Sequence, residues 1–223
     1  MQTPTYVIGD VHGCHHTLQN LVAKLPEDAA LIFVGDLCDK GLYTKEVIEF
    51  VKQNNHRCVI GNHDVHMMMH LRNALKGEHT AWSTKALFSG DKTVASYQDA
   101  SQSLIDAHLA WLKTLPHSLE IDNYLITHGF GLPFYKSKDP MRDFYMRVNR
   151  ISKTQYNDLY DQDYEEYGII NIFGHDSFDE VQIGSNYYAI DTDVKRGNKL
   201  TAIELGSMKI IDTPTDKRDL EGA

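Results

Sequence analysis

The sequence predicts an α/β sandwich, two mixed β-sheets packed face to face and flanked by helices. Three observations carry that prediction. Apolar runs Tyr6-Val7-Ile8, Leu31-Ile32-Phe33-Val34 and Cys58-Val59-Ile60 each end in a glycine, as a buried strand running into a sharp turn does. Those turns present Asp10, Asp36 and Asn62 at a constant spacing of 26 residues, the length of one strand-helix unit. Beyond Leu119 the texture changes to short strands separated by tight turns, which calls for a second sheet.

Taken in order, Leu18, Leu21, Val22 and Leu25 form an apolar stripe on a helix from His15 to Leu25, with Pro26 beyond its end. Val47, Ile48 and Val51 repeat the pattern from Thr44 to Asn54. Parallel strands need such crossover helices, so Asp10, Asp36 and Asn62 are expected along one edge of one sheet. Residues 65–116 read as a helical insertion that caps this edge within a single domain spanning 1–223. Met67-Met68-Met69 and Leu71 are expected as core packing, and His108 falls on the buried stripe of Leu104, Ile105, Leu109 and Leu112. Tyr124-Leu125-Ile126-Thr127 and Ile169-Ile170-Asn171-Ile172-Phe173 are further strands, leading into His128-Gly129 and Gly174-His175. Asp158 to Tyr167 reads as a solvated helix or loop. Strands at Val181–Ile183, Tyr187–Ile190, Leu200–Leu205 and Met208–Ile211 follow, making the second sheet largely antiparallel. Thr213 to Ala223 is polar and expected to fray.

At 223 residues, 42% hydrophobic and 24% charged, the composition is that of a soluble globular protein. No apolar run is long enough to span a bilayer, and no signal peptide is visible. Cys14, Cys38 and Cys58 form no disulfide framework, which points to a reducing, cytoplasmic setting. A net charge of −9 without a basic run disfavours nucleic acid as a partner. The sequence does not fix an oligomeric state.

Five strand ends thus carry carboxylate, amide or imidazole beside glycine. Such donors suit manganese, iron or zinc, and no cysteine pair points to a structural zinc site. Two divalent cations sharing a carboxylate can clamp a phosphoryl group and activate a bridging water to hydroxide for in-line attack. No protein nucleophile is then needed, and Cys14 and Cys38 read as small packed thiols.

Gly9-Asp10-Val11-His12-Gly13, Gly35-Asp36-Leu37-Cys38-Asp39-Lys40-Gly41 and Gly61-Asn62-His63-Asp64, with the two later histidines, resemble the calcineurin-like metallophosphoesterases of the phosphoprotein phosphatase family. The bacterial and phage branch, with its protein phosphatases and symmetrical diadenosine tetraphosphatases, is the most similar. Ser89-Gly90-Asp91-Lys92-Thr93, Leu115-Pro116 and Ile190-Asp191-Thr192 extend the likeness over nearly the whole chain. The resemblance implies one metal on Asp10, His12 and Asp36 and a second on Asp36, Asn62, His128 and His175. Manganese is the expected metal, with iron, zinc, nickel and cobalt as alternatives. It implies His63 as general acid, oriented by Asp39. Lys40 stands where the family has arginine, giving charge without a bidentate fork. A further phosphate-binding arginine is expected at Arg147 or Arg150. Asp193 stands where relatives often carry glycine. The implied activity is hydrolysis of a phosphoserine, phosphothreonine or phosphotyrosine ester in a protein, or of a small phosphoester; the alternative is symmetrical cleavage of diadenosine tetraphosphate to ADP. A metal-binding module without activity is disfavoured by the intact Asp39 and His63.

Overall fold

A computed structural model describes residues 3–86, 88–151 and 164–221. Among them, ten strands form two five-stranded mixed sheets. The first sheet is built on β1 (Thr5–Ile8), β2 (Ala30–Phe33) and β3 (Arg57–Cys58), all parallel. Helices α1 (His15–Val22) and α2 (Thr44–Gln53) make the crossovers. The second contains β4 (Ser118–Ile121), β5 (Tyr124–Thr127), β6 (Ile170–Phe173), β7 (Gln182–Ile183) and β8 (Tyr187–Ala189). Strands β9 (Lys199–Glu204) and β10 (Ile210–Pro214) return to the first sheet, β9 lying antiparallel against β1.

Two expectations are corrected here. The second sheet is not largely antiparallel: β5, β6 and β8 run parallel at its centre, and only the edge strands β4 and β7 are antiparallel. A hairpin texture in the sequence marks β4–β5 and β7–β8, but the pairing of β5 with β6 spans a connection whose length does not announce its direction. The C-terminal region is also not frayed as far as Glu221. Strand β10 extends to Pro214, and a short helix α8 (Arg218–Glu221) follows. Its buried Asp219 accepts from the Thr17 hydroxyl at 2.6 Å and from the main-chain N–H of His16 and Thr17 at 2.9 and 2.8 Å. These are orphan donors of the first turn of α1, so a residue near the end of the chain caps a helix near its start.

Alternation along the strands builds the layers. Val7 and Ile32 face inward to meet Tyr124, Ile126, Ile172 and Ile190 between the sheets. Their neighbours Tyr6, Ile8, Leu31 and Phe33 face outward and pack beneath the helices. On the far side of the second sheet Leu125, Phe173 and Ala189 pack with Phe130, Met146 and Tyr164.

The 65–116 segment is helical, but its first helix starts earlier, on the third motif itself. Helix α3 (Asn62–Leu75) is followed by α4 (Ala81–Thr84), α5 (Gly90–Tyr97) and α6 (Gln102–Leu112). Met67 and Leu71 are fully buried, whereas Met69 is 65% exposed and is not core. His108 is buried and bonds Tyr97 Oη at 2.6 Å and Glu49, a structural role. Of the acidic stretch, Glu165–Tyr167 is a single 3₁₀ turn and 158–163 lie outside the described residues.

Replacing Asp219 with alanine leaves buried donors without acceptors. Asp219→Ala is expected to lower unfolding free energy by about 2–3 kcal/mol. Urea unfolding checks this, and a change below about 0.5 kcal/mol would mean that the cap contributes nothing.

Candidate active site

The strand-end turns are tightly folded. His12, Asp36, Asp39, Lys40 and His175 all have positive φ, from 47° to 71°, a region that non-glycine residues seldom occupy. Each such residue costs on the order of 1–3 kcal/mol, and such costs concentrate where side chains must be aimed. Glycine is required where carboxylates close against the turns. A Cβ on Gly61 would lie 2.1 Å from Asp36 Oδ1, and one on Gly174 would lie 1.9 Å from Asp10 Oδ1.

Asp36 sits at the centre. Its Oδ1 accepts from the His63 main-chain N–H at 2.9 Å and lies 3.2 Å from His128 Nε2. Its Oδ2 lies 3.7 Å from His12 Nε2. Asp64, the last residue of the third motif, fixes the turn beneath: its carboxylate accepts from the N–H of Asp36, Leu37 and Gly61, each at 2.9 Å. Burial, reinforced by the Asp36 charge, pushes the Asp64 carboxyl up to about 6.

Asp10 lies across from Asp36, with Oδ2 3.7 Å from His12 Nε2 and both oxygens 3.2 Å from the His175 N–H. Asn62 Oδ1 is 3.1 Å from His128 Nε2. Two sets of donor atoms therefore share one carboxylate. Donor atoms of Asp36, His128 and His175 lie within 4.8 Å of one another, as do those of His12, Asp36 and His63, of which the His63 ring is also tied to Asp39, while Asp10 adjoins His12.

This donor set fits a pair of cations. His12 Nδ1 faces Cys38 O at 2.9 Å, His128 Nδ1 faces Val34 O at 2.8 Å and His175 Nε2 faces Val148 O at 3.1 Å. A carbonyl only accepts, so each of these ring nitrogens is the N–H. The other nitrogen of each ring is left with its lone pair, the arrangement by which metal-binding histidines are oriented. The electrostatics show a site short of positive charge, in which a proton on His128 stands in for a cation until one displaces it. Burial alone would lower His128, but Asp36 and Asp10 outweigh it and raise the ring to about 9. Burial and the nearby Asp191 push Asp10 well above the usual carboxylate range. Charges crowded in this way call for positive countercharge.

His63 stands at the edge of the group, with Nδ1 2.6 Å from Asp39 Oδ2. Burial opposes its protonated form, yet the Asp36 charge and the Asp39 bond prevail and raise it. The helical segment holds Asp39 in turn. Trp82 Nε1 donates to its Oδ2 at 2.9 Å and Thr93 Oγ1 to its Oδ1 at 2.7 Å. Gly90 packs against the Trp82 ring, where a Cβ would lie 2.4 Å from the indole. Cys14 and Cys38 are fully buried and their thiols are raised by burial, as packed groups should be.

A cavity of about 350 Å³ opens over the group, lined by His12, Asp36, Asn62, His63 and His175 and by four cations, Lys40, Arg150, Lys195 and Arg196. The sequence left Arg147 and Arg150 equivalent; Arg150 lines the cavity and lies 3.3 Å from Asp176 Oδ1. Arg147 lies elsewhere, 3.4 Å from His117 Nδ1 and over the Phe144 ring. Lys195 and Arg196 were missed. Asp193 precedes them at φ 60°, a left-handed conformation that glycine takes without strain and that marks a tight turn. Lys195 Nζ donates to Asp191 Oδ2 at 2.9 Å and to Ser177 Oγ at 2.7 Å. Among its described residues, the helical segment contributes Ala86 and Ser89 to the lining.

The sequence model of the calcineurin-like phosphoesterases matches residues 3–203. Serine/threonine-protein phosphatase 2 of Escherichia coli strain K12 is 29% identical over 211 residues, 88% of this chain and 90% of that protein. The symmetrical bis(5'-nucleosyl)-tetraphosphatase of Ralstonia nicotianae is 30% identical over 144 residues, 61% of this chain and 45% of that protein. That of Erwinia tasmaniensis is 45% identical over 69 residues, 29% of this chain and 25% of that protein. The chain thus spans less than half the length of these two tetraphosphatases. Among solved structures, a protein provisionally assigned as a diadenosine tetraphosphatase superposes with a TM-score of 0.67 at 21% identity, covering 96% of this chain and 94% of that one. A serine/threonine phosphatase of Saccharomyces cerevisiae gives 0.58 at 17%, covering 96% and 80%. At such identities the structural likeness is one of fold. The match of the family sequence model is of another kind, because it takes in all five strand-end motifs, and by it the chain belongs to the calcineurin-like phosphoesterases, enzymes that work with a pair of metal ions.

Proposed function

We propose that the chain is a phosphomonoesterase of the phosphoprotein phosphatase type, acting on phosphorylated serine, threonine or tyrosine side chains. The cavity supports this reading most. At about 350 Å³ it stands at the small end of ligand sites, a size that suits one phosphorylated side chain. A dinucleoside tetraphosphate needs room for two nucleoside ends. The near-complete overlap with phosphatase 2 is in keeping with this reading, while the tetraphosphatase relatives keep the alternative in view.

In this reading Asp10, His12 and Asp36 hold one cation, and Asp36, Asn62, His128 and His175 the other, manganese being our choice. When bound, the pair supplies Lewis-acid clamping of the phosphoryl oxygens and the activated water that attacks phosphorus. The protein's part is geometry and proton supply. Asp36 joins the two halves. Asp39 fixes the Nδ1–H of His63, so that Nε2 can deliver a proton to the leaving oxygen. Lys40 and Arg150 offer charge to the phosphoryl group, with Lys40 held at 3.3 Å from Ala86 O.

Asp36→Asn keeps the shape and removes the shared charge. It is expected to lose at least one ion and nearly all turnover; elemental analysis finding two ions per chain with normal activity would overturn the ligand assignment. His63→Asn is expected to keep both ions and lose about 10²–10⁴-fold in turnover on a phosphoserine peptide. The loss should be much smaller on p-nitrophenyl phosphate, whose leaving group needs little protonation, and equal losses on both would exclude the acid role. For the substrate class, kcat/KM on phosphopeptides is expected to exceed that on diadenosine tetraphosphate in one buffer with one metal. A tenfold preference for the dinucleotide, with ADP as sole product, would replace this reading by the tetraphosphatase one.

A further inference from the structure

The chain carries a net charge of −9, yet the described residues lining the cavity include four cations and one carboxylate, Asp36. Three of the cations have an acidic partner that does not line the cavity. Arg150 lies beside Asp176, Lys195 beside Asp191 and Arg196 beside Asp193. Asp176 and Asp191 are only 2% and 1% exposed. Such carboxylates act from behind: they hold the cations in place and leave the positive groups toward the opening.

Lys195 and Arg196 differ in depth. The Lys195 side chain is 11% exposed and anchored on Asp191 and Ser177, within the cavity wall. The Arg196 side chain is 72% exposed and takes one bond, from Nη1 to Asp193 Oδ2 at 2.9 Å. It reaches out of the cavity at the rim. Lys40 lines the same cavity and lies near enough to feel both as repelling charges. One phosphoryl group over the site cannot use an arginine at the rim. A neighbouring residue of a bound peptide can.

Resting on the phosphoprotein reading above, we propose that the Lys195–Arg196 turn forms a subsite for an acidic side chain flanking the phosphorylated residue, so that acidic phosphopeptides are the preferred substrate class. A second phosphate joined directly to the scissile one would sit within the cavity and meet Lys195 first, leaving Arg196 unused. The peptide reading uses both depths. Its strength is modest and salt-dependent, because Arg196 is largely in water.

The test uses the metal-loaded protein and two phosphoserine peptides of equal length, one with glutamates flanking the phosphoserine and one with alanines. The acidic peptide is expected to have a kcat/KM about fivefold higher at low ionic strength, mainly through KM, with the ratio falling toward one as salt is added. Arg196→Ala should bring the ratio within twofold at low salt, and Arg196→Glu should invert it. Inorganic pyrophosphate and orthophosphate, compared as inhibitors of p-nitrophenyl phosphate hydrolysis at buffered free metal, report on the other arrangement. Equal kcat/KM for the two peptides overturns the proposal and leaves the phosphatase reading intact. So does a preference that survives Arg196→Glu, or an Arg196 effect confined to pyrophosphate. Turnover of p-nitrophenyl phosphate with none of either peptide overturns the phosphoprotein reading and this proposal with it.

Discussion

The structure depends on how closely three strand-end turns can approach one another around the Asp36 carboxylate. Asp36 receives the His63 N–H, its own N–H is taken by Asp64, and Gly61 touches its oxygen with no space for a methyl group. The sheet twist and the crossover helices set the coarse spacing. The final fit comes from left-handed backbone at His12, Asp36, Asp39, Lys40 and His175. That strain is sustained by the apolar layers beneath, where Val7, Ile32 and Val34 are packed between the sheets. The site is thus an edge feature of a rigid sandwich, and its accuracy is borrowed from the core.

The helical segment belongs to this machinery. Trp82 and Thr93 bring two donors to the two oxygens of Asp39, which then presents one of those oxygens to His63. Thr93 also accepts the Asp39 N–H at 2.9 Å and touches Thr44 Oγ1 at 3.2 Å, tying α5 to α2. A segment that its length marks as an insertion thus also braces one imidazole. Among its described residues, Ala86 and Ser89 reach the cavity lining.

How far the sequence could be read follows from what each signal encodes. Glycine beside a metal-type ligand at a strand end is a local requirement, so Asp10, Asp36, Asn62, His128 and His175 could be found one by one and prove to be neighbours. Strand periodicity identified nearly every strand, but which sheet a strand joins is a global matter; β9 and β10 return to β1 although they follow β8 in the chain. Arg150 and Arg147 differ by three residues near the end of α7 (Arg142–Val148). Only the exit of the chain from that helix decides which one reaches the cavity. Lys195 and Arg196 had no motif to announce them. Asp219 looked like part of a polar tail, because a capping contact between residues some 200 positions apart leaves no local pattern.

The pairing of β1 with β9 sets when this protein can become competent. Asp10 is delivered by a strand whose two neighbours are β2 and a strand formed by residues 199–204, and the N–H of Gly9 is bonded to Thr201 O at 2.9 Å. A growing chain that has emerged only to His175 has every candidate ligand in hand and still lacks one of the two strands that flank β1. Contacts of such long sequence separation form late. Loading of the site is therefore tied to completion of the sheet rather than to synthesis of the ligands, and a cut between β8 and β9 would act on the chemistry from a distance by loosening the strand that carries Asp10.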